Sequence, residues 1–328
     1  MREATSPGRP VPGELNVLVW HLHGSWTTSF VQGGHRYLLP TLPEGGQWGR
    51  GRCGRDWPDT AVEVPADRLR DTDVDVVVLQ RPEELDLCER WLGRRPGTDV
   101  PAVYVEHNTP REHAATSRHP VADRDDIVLA HVTHFNELMW DNGRAPTTVI
   151  DHGIVDPGYR YTGELERAAV LVNEPVRRGR MVGTDLLPVF TEVAPVDLYG
   201  MGLAGLAIDG VTPVGDLGQE ALHREMARRR VYVHTARWTS LGLSLLEAMH
   251  LGMPPVVLAC TEAAVAVPEE AGFVSTDVTR LAAAVRTLLA EPERAARMGK
   301  SAREHALAHY GLAAFLRNWD ALLERVLS

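Results

Sequence analysis

Short apolar runs alternate with stretches of helical periodicity along most of the chain. Residues 16–22 (NVLVWHL), 75–79 (DVVVL) and 102–106 (AVYVE) read as buried strands, and 127–132 and 147–150 as further strands. A loop holding Gly33 and Gly34 follows the first strand, with a helix expected around 35–39. Residues 40–59, rich in Gly, Arg and Trp, read as a long surface loop, and 83–92 as a helix. The pattern then restarts. Strands are expected at 168–172, 196–199, 211–214, 231–234 and 254–258. Helices are expected at 183–193, 219–228, 244–251, 279–290 and 292–309. A last helix at 312–327 carries Leu312, Phe315, Leu316, Trp319, Leu322, Leu323 and Val326 as one broad apolar stripe.

Strands alternating with helices imply parallel pairing with helices on both faces. The expectation is an α/β chain of two Rossmann-like parallel-sheet domains facing an interdomain cleft. Residues 1–15 form a flexible tail, 16–155 an N-terminal domain and 156–309 a C-terminal domain. Residues 310–328 form a helix crossing back to the first domain. In such sheets ligands bind beyond the carboxyl ends of the strands.

Composition narrows the function classes. The chain has 328 residues, 44% hydrophobic and 24% charged, which supports a sizeable core. A net charge of −10 argues against nucleic-acid and anionic-lipid partners. Three widely spaced cysteines, Cys53, Cys88 and Cys260, do not read as a disulfide or zinc framework, so a cytoplasmic setting is expected. No run is long enough for a transmembrane segment. Lys300 is the single lysine, so arginine must supply any phosphate-binding side chain. That bias also fits a GC-rich bacterial genome. Fourteen histidines invite a metal, but their spacing sets no ligand pattern; no metal and no cofactor are expected.

The most informative segment is 239–257, TSLGLSLLEAMHLGMPPVV. Gly242 permits close backbone approach where a helix begins, and the free amides there favour a phosphate. Leu243 and Ser244 open that helix. Glu247, about a turn inside, could accept two hydrogen bonds from a ribose diol. Gly252 ends the helix and Pro254 prevents its continuation. Upstream, Arg177, Arg178 and Arg180 precede the next expected helix and could clamp a diphosphate.

Gly242-Leu243, Glu247-Ala248-Met249, Gly252 and Pro255-Val256-Val257 together resemble the signature of the family 4 retaining glycosyltransferases of the GT-B fold. Pro268-Glu269, Gly272-Phe273-Val274 and Met298-Gly299 resemble its downstream tail. Gly33-Gly34 resembles the glycine pair after the first strand, and His107 the donor-site histidine. Residues 150–154 resemble the turn opening the second domain, and Tyr199-Gly-Met-Gly202 its glycine turn. The resemblance implies a metal-independent transferase that moves a sugar from a nucleotide diphosphate sugar to an acceptor hydroxyl, a small molecule, glycan or glycoconjugate, with retained configuration. It implies Gly200, Gly202, Val214 and Gly215 near the base, Glu247 on the ribose and His107 at the reacting sugar. It also implies an acceptor side near Gly33, Gly34, His23 and Trp26. Two positions depart from the pattern. Thr239 stands where the first motif carboxylate would be, and Val182 where a lysine would be. They keep open a rival reading, a weak or inactive nucleotide-sugar-binding or regulatory partner. An inverting transferase or an epimerase of the same fold is a further alternative.

Overall fold

The computed structural model describes residues 13–111 and 113–328. Most of the expected tail therefore lies outside the described residues. The first sheet holds β1 (Asn16–Val19), β2 (Arg36–Thr41), β3 (Ala61–Pro65), β4 (Val76–Leu79), β5 (Ala102–Glu106), β6 (Val128–His131) and β7 (Thr147–Val149). All pairings are parallel, in the order β3-β2-β1-β4-β5-β6-β7. The second sheet holds β8 (Leu165–Leu171), β9 (Val196–Tyr199), β10 (Val211–Gly215), β11 (Arg229–His234), β12 (Pro255–Leu258) and β13 (Phe273–Ser275). It is also all parallel, in the order β10-β9-β8-β11-β12-β13. Each strand order reverses beside its first strand, between β1 and β4 and between β8 and β11. Those reversals open crevices at the carboxyl edges, where ligands of such sheets bind.

Helices α1 (Gly24–Phe30), α2 (Glu83–Leu92) and α3 (His134–Met139) accompany the first sheet. The second carries α4 (Pro175–Arg178), α5 (Leu187–Thr191), α6 (Gln219–Met226), α7 (Leu243–Leu251), α8 (Ala263–Ala266), α9 (Val278–Ala290) and α10 (Pro292–His309). The final helix, α11 (Leu312–Leu327), returns to the first sheet. Its Phe315, Trp319, Leu322 and Leu323 are buried with Trp26, Phe30, Val17 and Val78 in one apolar cluster. Ile154 anchors the return by donating its amide to Tyr310 O at 2.9 Å.

Two expected helices are corrected. The run at 35–39 is part of β2, a strand flanked by β1 and β3 and buried at Tyr37, Leu38 and Leu39. A short apolar run buried on both faces has no period to separate strand from helix. The stretch 183–193 is two short pieces, a 3-10 turn at Thr184–Leu186 and α5. Pro188, in the first turn of α5, lacks the amide that a continuous helix would need there. Conversely, α1 forms where a loop was expected. Its sequence, GSWTTSF, has poor helix propensity, and burial of Trp26, Thr27, Ser29 and Phe30 compensates.

Candidate active site between the two sheets

Helix α7 is nearly all buried, from Leu245 through Leu251. A helix apolar on all sides is a core helix, so its one carboxylate, Glu247, stands out at 5% exposed. Glu247 Oε1 accepts from Ser25 Oγ at 2.9 Å, and Oε2 lies 3.5 Å from His223 Nε2. Ser25 lies in the first turn of α1, in the first domain, and Glu247 in the second, so this hydrogen bond spans the cleft. Leu243, at the start of α7, packs against the core clusters of both domains.

Gly242 caps α7 with no side-chain cap bond. A Cβ there would meet His234 Cε1 at 2.6 Å, so a larger residue would push the helix start off the end of β11. Ser244 Oγ accepts from Tyr232 Oη at 3.0 Å, which fixes it beside β11. Thr239 is half-buried in the loop after β11. Its neighbours bind the first domain: Trp238 Nε1 donates to Pro110 O at 2.6 Å, and Ser240 Oγ lies 3.1 Å from Thr133 Oγ1.

The loops after β8, β9 and β10 converge on the same edge. Gly200 takes φ +125°, and a Cβ there would lie 2.3 Å from Val172 O. Its amide donates to Gly215 O at 3.0 Å. Asn173 Oδ1 accepts from the Met201 amide at 2.9 Å, and Gly202 lies against Glu174. Val214, half-buried, and Gly215 end β10 beside them.

The three arginines after β8 differ in their freedom. Arg177 is ion-paired to Glu174 and Arg180 to Asp185, and both are exposed. Arg178 is half-buried and has no carboxylate partner among the described residues; its Nη2 contacts Met181 Sδ at 3.9 Å. Burial, then Arg177 and Arg111, push its pKa down. Val182 is buried, and its carbonyl accepts from Thr235 Oγ1 at 2.7 Å, so this position is a packing position.

On the first domain, His107 follows β5 with its ring 4.2 Å from His23 and 5.0 Å from Trp26, centroid to centroid. His107 Nε2 is 3.0 Å from Gln80 Oε1. Gln80 Nε2 donates to Trp20 O at 2.7 Å, which turns Oε1 toward His107. His107 must therefore donate from Nε2, leaving Nδ1 as an acceptor in the neutral ring. Burial, with His23 and His152 nearby, holds its pKa well below the ordinary imidazole value, which agrees with that tautomer. His23 is pushed down to about 4 by burial and by Arg81 and Arg111. His152, in the turn before the second domain, is pushed down to about 3 by burial and His23. Among the described residues no group of three or more His, Cys, Asp and Glu side chains is arranged to hold a metal ion.

Two of the expected acceptor positions lie elsewhere. Gly33 and Gly34 follow α1 and immediately precede β2, whose Arg36 pairs with Asn16 at the start of β1. They are thus at the amino edge of the sheet, opposite the cleft. Gly33 is needed there because a Cβ would lie 2.1 Å from Tyr37 Oη. Trp26 is 1% exposed and stacks on Phe30, so it supports His107 from the core. Sequence pattern alone does not mark Ser25, Gln80 or His223. Nothing in an isolated Ser or Gln signals a cross-domain or tautomer-fixing role.

Residues 204–305 match the family model described as Glycosyl transferases group 1. The whole chain is similar to solved structures. HepE of Anabaena, solved in complex with UDP-glucose, superposes with a TM-score of 0.70 at 16% identity, covering 95% of this chain and 100% of that one. Sucrose-phosphate synthase of Thermosynechococcus elongatus gives a TM-score of 0.70 at 15% identity, covering 95% and 99%. A glycosyltransferase from Rickettsia africae gives 0.65 at 12%, covering 96% and 99%. The chain has the GT-B fold. A comparison with curated protein sequences gives no match. In this GT-B fold the family match covers α7 and the loop before it, the segment that also carries Glu247 and Thr239. Among the described residues no helix is long and apolar enough to cross a membrane.

Proposed function

We propose that this chain is a glycosyltransferase that binds a nucleoside diphosphate sugar on its second domain and transfers the sugar to an acceptor hydroxyl held by the first. The observation that carries this reading is Glu247, a carboxylate buried on α7, the helix after β11, and hydrogen-bonded across the cleft to Ser25. A carboxylate there can accept both hydroxyls of a ribose, with the glycine turn at Gly200 and Gly202 and the end of β10 beside the base. Arg178 and the first amides of α7 would hold the diphosphate and stabilise the charge that develops as it leaves. HepE, solved with UDP-glucose, shares this fold over nearly its full length.

The reaction proceeds with retention. The acceptor oxygen forms a bond to the anomeric carbon on the face from which the diphosphate oxygen departs. The acceptor proton passes to the departing phosphate. His107, neutral and donating to Gln80, offers Nδ1 to a sugar hydroxyl and its backbone carbonyl to the developing positive charge. It is not a general acid at neutral pH. The transfer needs no metal. Closure of the two domains, already bridged at Ser25 and Glu247, excludes water.

The test is a thermal-shift and calorimetric screen of uridine, guanosine, thymidine and adenosine diphosphates, followed by donor hydrolysis and anomeric analysis of product by NMR. Binding of at least one nucleotide with turnover of its sugar and a retained product is expected. An inverted product would overturn the mechanism. Nucleotide binding without any turnover favours a binding or regulatory partner, the reading that Thr239 and the packed Val182 support.

A further inference from the structure

The first-domain side of the cleft carries a concentration of arginines that the donor reading does not use. Arg50 and Arg55 lie in the loop after β2, Arg81 follows β4, and Arg111 lies beyond β5. All four therefore come from carboxyl-edge loops of the first sheet. Arg55 covers Gly24, since a Cβ on that glycine would lie 2.5 Å from Arg55 Nη2. Gly24 adjoins His23, whose ring lies tilted against that of His107. Arg81 lies over the Trp48 ring at 3.8 Å. The charges are felt in the site: Arg55 and Arg50 help to lower the pKa of His21 after burial, and Arg81 and Arg111 that of His23.

Among the described residues Arg50, Arg55 and Arg111 make no ion pair, although Asp56 and Asp59 are exposed close by in sequence. Arg81 pairs with Glu84, which is fully buried. Burial raises the Glu84 pKa to about 7, so at neutral pH it offsets only part of that charge. Like charges gathered without partners repel one another, and a chain of net charge −10 has no general excess of cations to distribute. Guanidinium groups carried on neighbouring carboxyl-edge loops fit an oxyanion.

We infer that Arg50, Arg55, Arg81 and Arg111 form an oxyanion subsite beside His23, and that the acceptor of this enzyme carries a phosphate or carboxylate group. The inference rests on the transferase reading above and names the substrate class of its acceptor side. The reacting hydroxyl would lie toward His107, with its anionic substituent held on the far side by Arg55.

The protein is first saturated with whichever of the four nucleoside diphosphates binds it, which occupies the donor phosphate site. Inorganic phosphate is then titrated calorimetrically at low ionic strength. One further phosphate per chain is expected to bind. The double variant Arg50→Ala/Arg55→Ala should lose at least ten-fold in phosphate affinity and keep its nucleotide affinity. Competition by glucuronate would assign a carboxylate; competition by glucose 6-phosphate alone would assign a phosphomonoester. Absence of phosphate binding to the nucleotide-loaded protein, or binding that the double variant leaves intact, overturns the subsite and leaves the nucleotide reading standing. Absence of any nucleotide binding overturns that reading and the subsite with it.

Discussion

Ser25 Oγ donates to Glu247 Oε1 at 2.9 Å across the cleft, so the serine hydroxyl holds the carboxylate proposed for the ribose. A ribose would have to displace that hydroxyl. The two residues should therefore behave oppositely. Glu247→Ala removes acceptors for two hydroxyls, and hydrogen bonds to a charged group contribute about 1.5–3 kcal/mol each. Nucleotide affinity should fall at least ten-fold by calorimetry. Ser25→Ala removes a competitor and should leave affinity unchanged or raise it a few-fold. Ten-fold weaker binding in Ser25→Ala would mean that the serine itself holds the ligand.

The glycines that shape the donor crevice make a stability prediction. Gly183 takes φ +76°, and a Cβ there would lie 2.0 Å from Thr235 O, a backbone atom with no freedom to swing away. At Gly242 the obstruction is the His234 ring at 2.6 Å, and φ is an ordinary −68°. Gly183→Ala should therefore destabilise more than Gly242→Ala. Overpacking costs about 1–3 kcal/mol, and positive φ adds strain for alanine. Urea unfolding of the two variants would order them, and equal midpoints would count against the steric account.

Much of the fold is legible because helices such as α2, α10 and α11 are long and periodic, and α7 sits between a glycine start and a glycine stop. What is illegible has tertiary causes. Helix α1 is stabilised by Trp26 and Phe30 meeting Trp319 at 5.7 and 5.0 Å, contacts nearly 300 residues apart in sequence. Gly33 and Gly34 look like a ligand loop only while α1 is unknown; once it starts at Gly24, they fall at the wrong edge. The site behaves the same way. Glu247 and His107 can be read from local pattern, whereas the sorting of Arg177, Arg178 and Arg180 depends on which acids fold against them.

That sorting gives a third prediction. Arg177 is held by Glu174 on the surface, while Arg178 is half-buried and has no carboxylate partner among the described residues. Arg178→Ala should raise the dissociation constant of the nucleoside diphosphate at least ten-fold, through loss of a charge-assisted pair. Arg177→Ala should change it less than three-fold. The corresponding nucleosides, lacking phosphates, should bind wild type and Arg178→Ala alike. A loss in nucleoside binding would move Arg178 from the diphosphate to the base.

Acid should unfold this protein well above the pH at which ordinary carboxylates titrate. Burial lowers His23, His131 and His234 to about 4 and His152 to about 3 from an unfolded value of 6.5. Between those limits the unfolded chain binds more protons than the native one, so stability rises with pH. The histidine contribution is fully present above 6.5 and is lost as pH falls toward 4. Glu84 acts in the opposite sense. Its pKa is raised from 4.5 to about 7, so its contribution is present below 4.5 and lost as pH rises through 7. Four histidines oppose one glutamate, and the melting temperature should fall steadily from pH 7 to pH 4.5. His152→Asn should flatten that slope measurably, since His152 is 4% exposed and its Nδ1 has no partner among the described residues. A slope identical to wild type would show that His152 is protonated in the native protein.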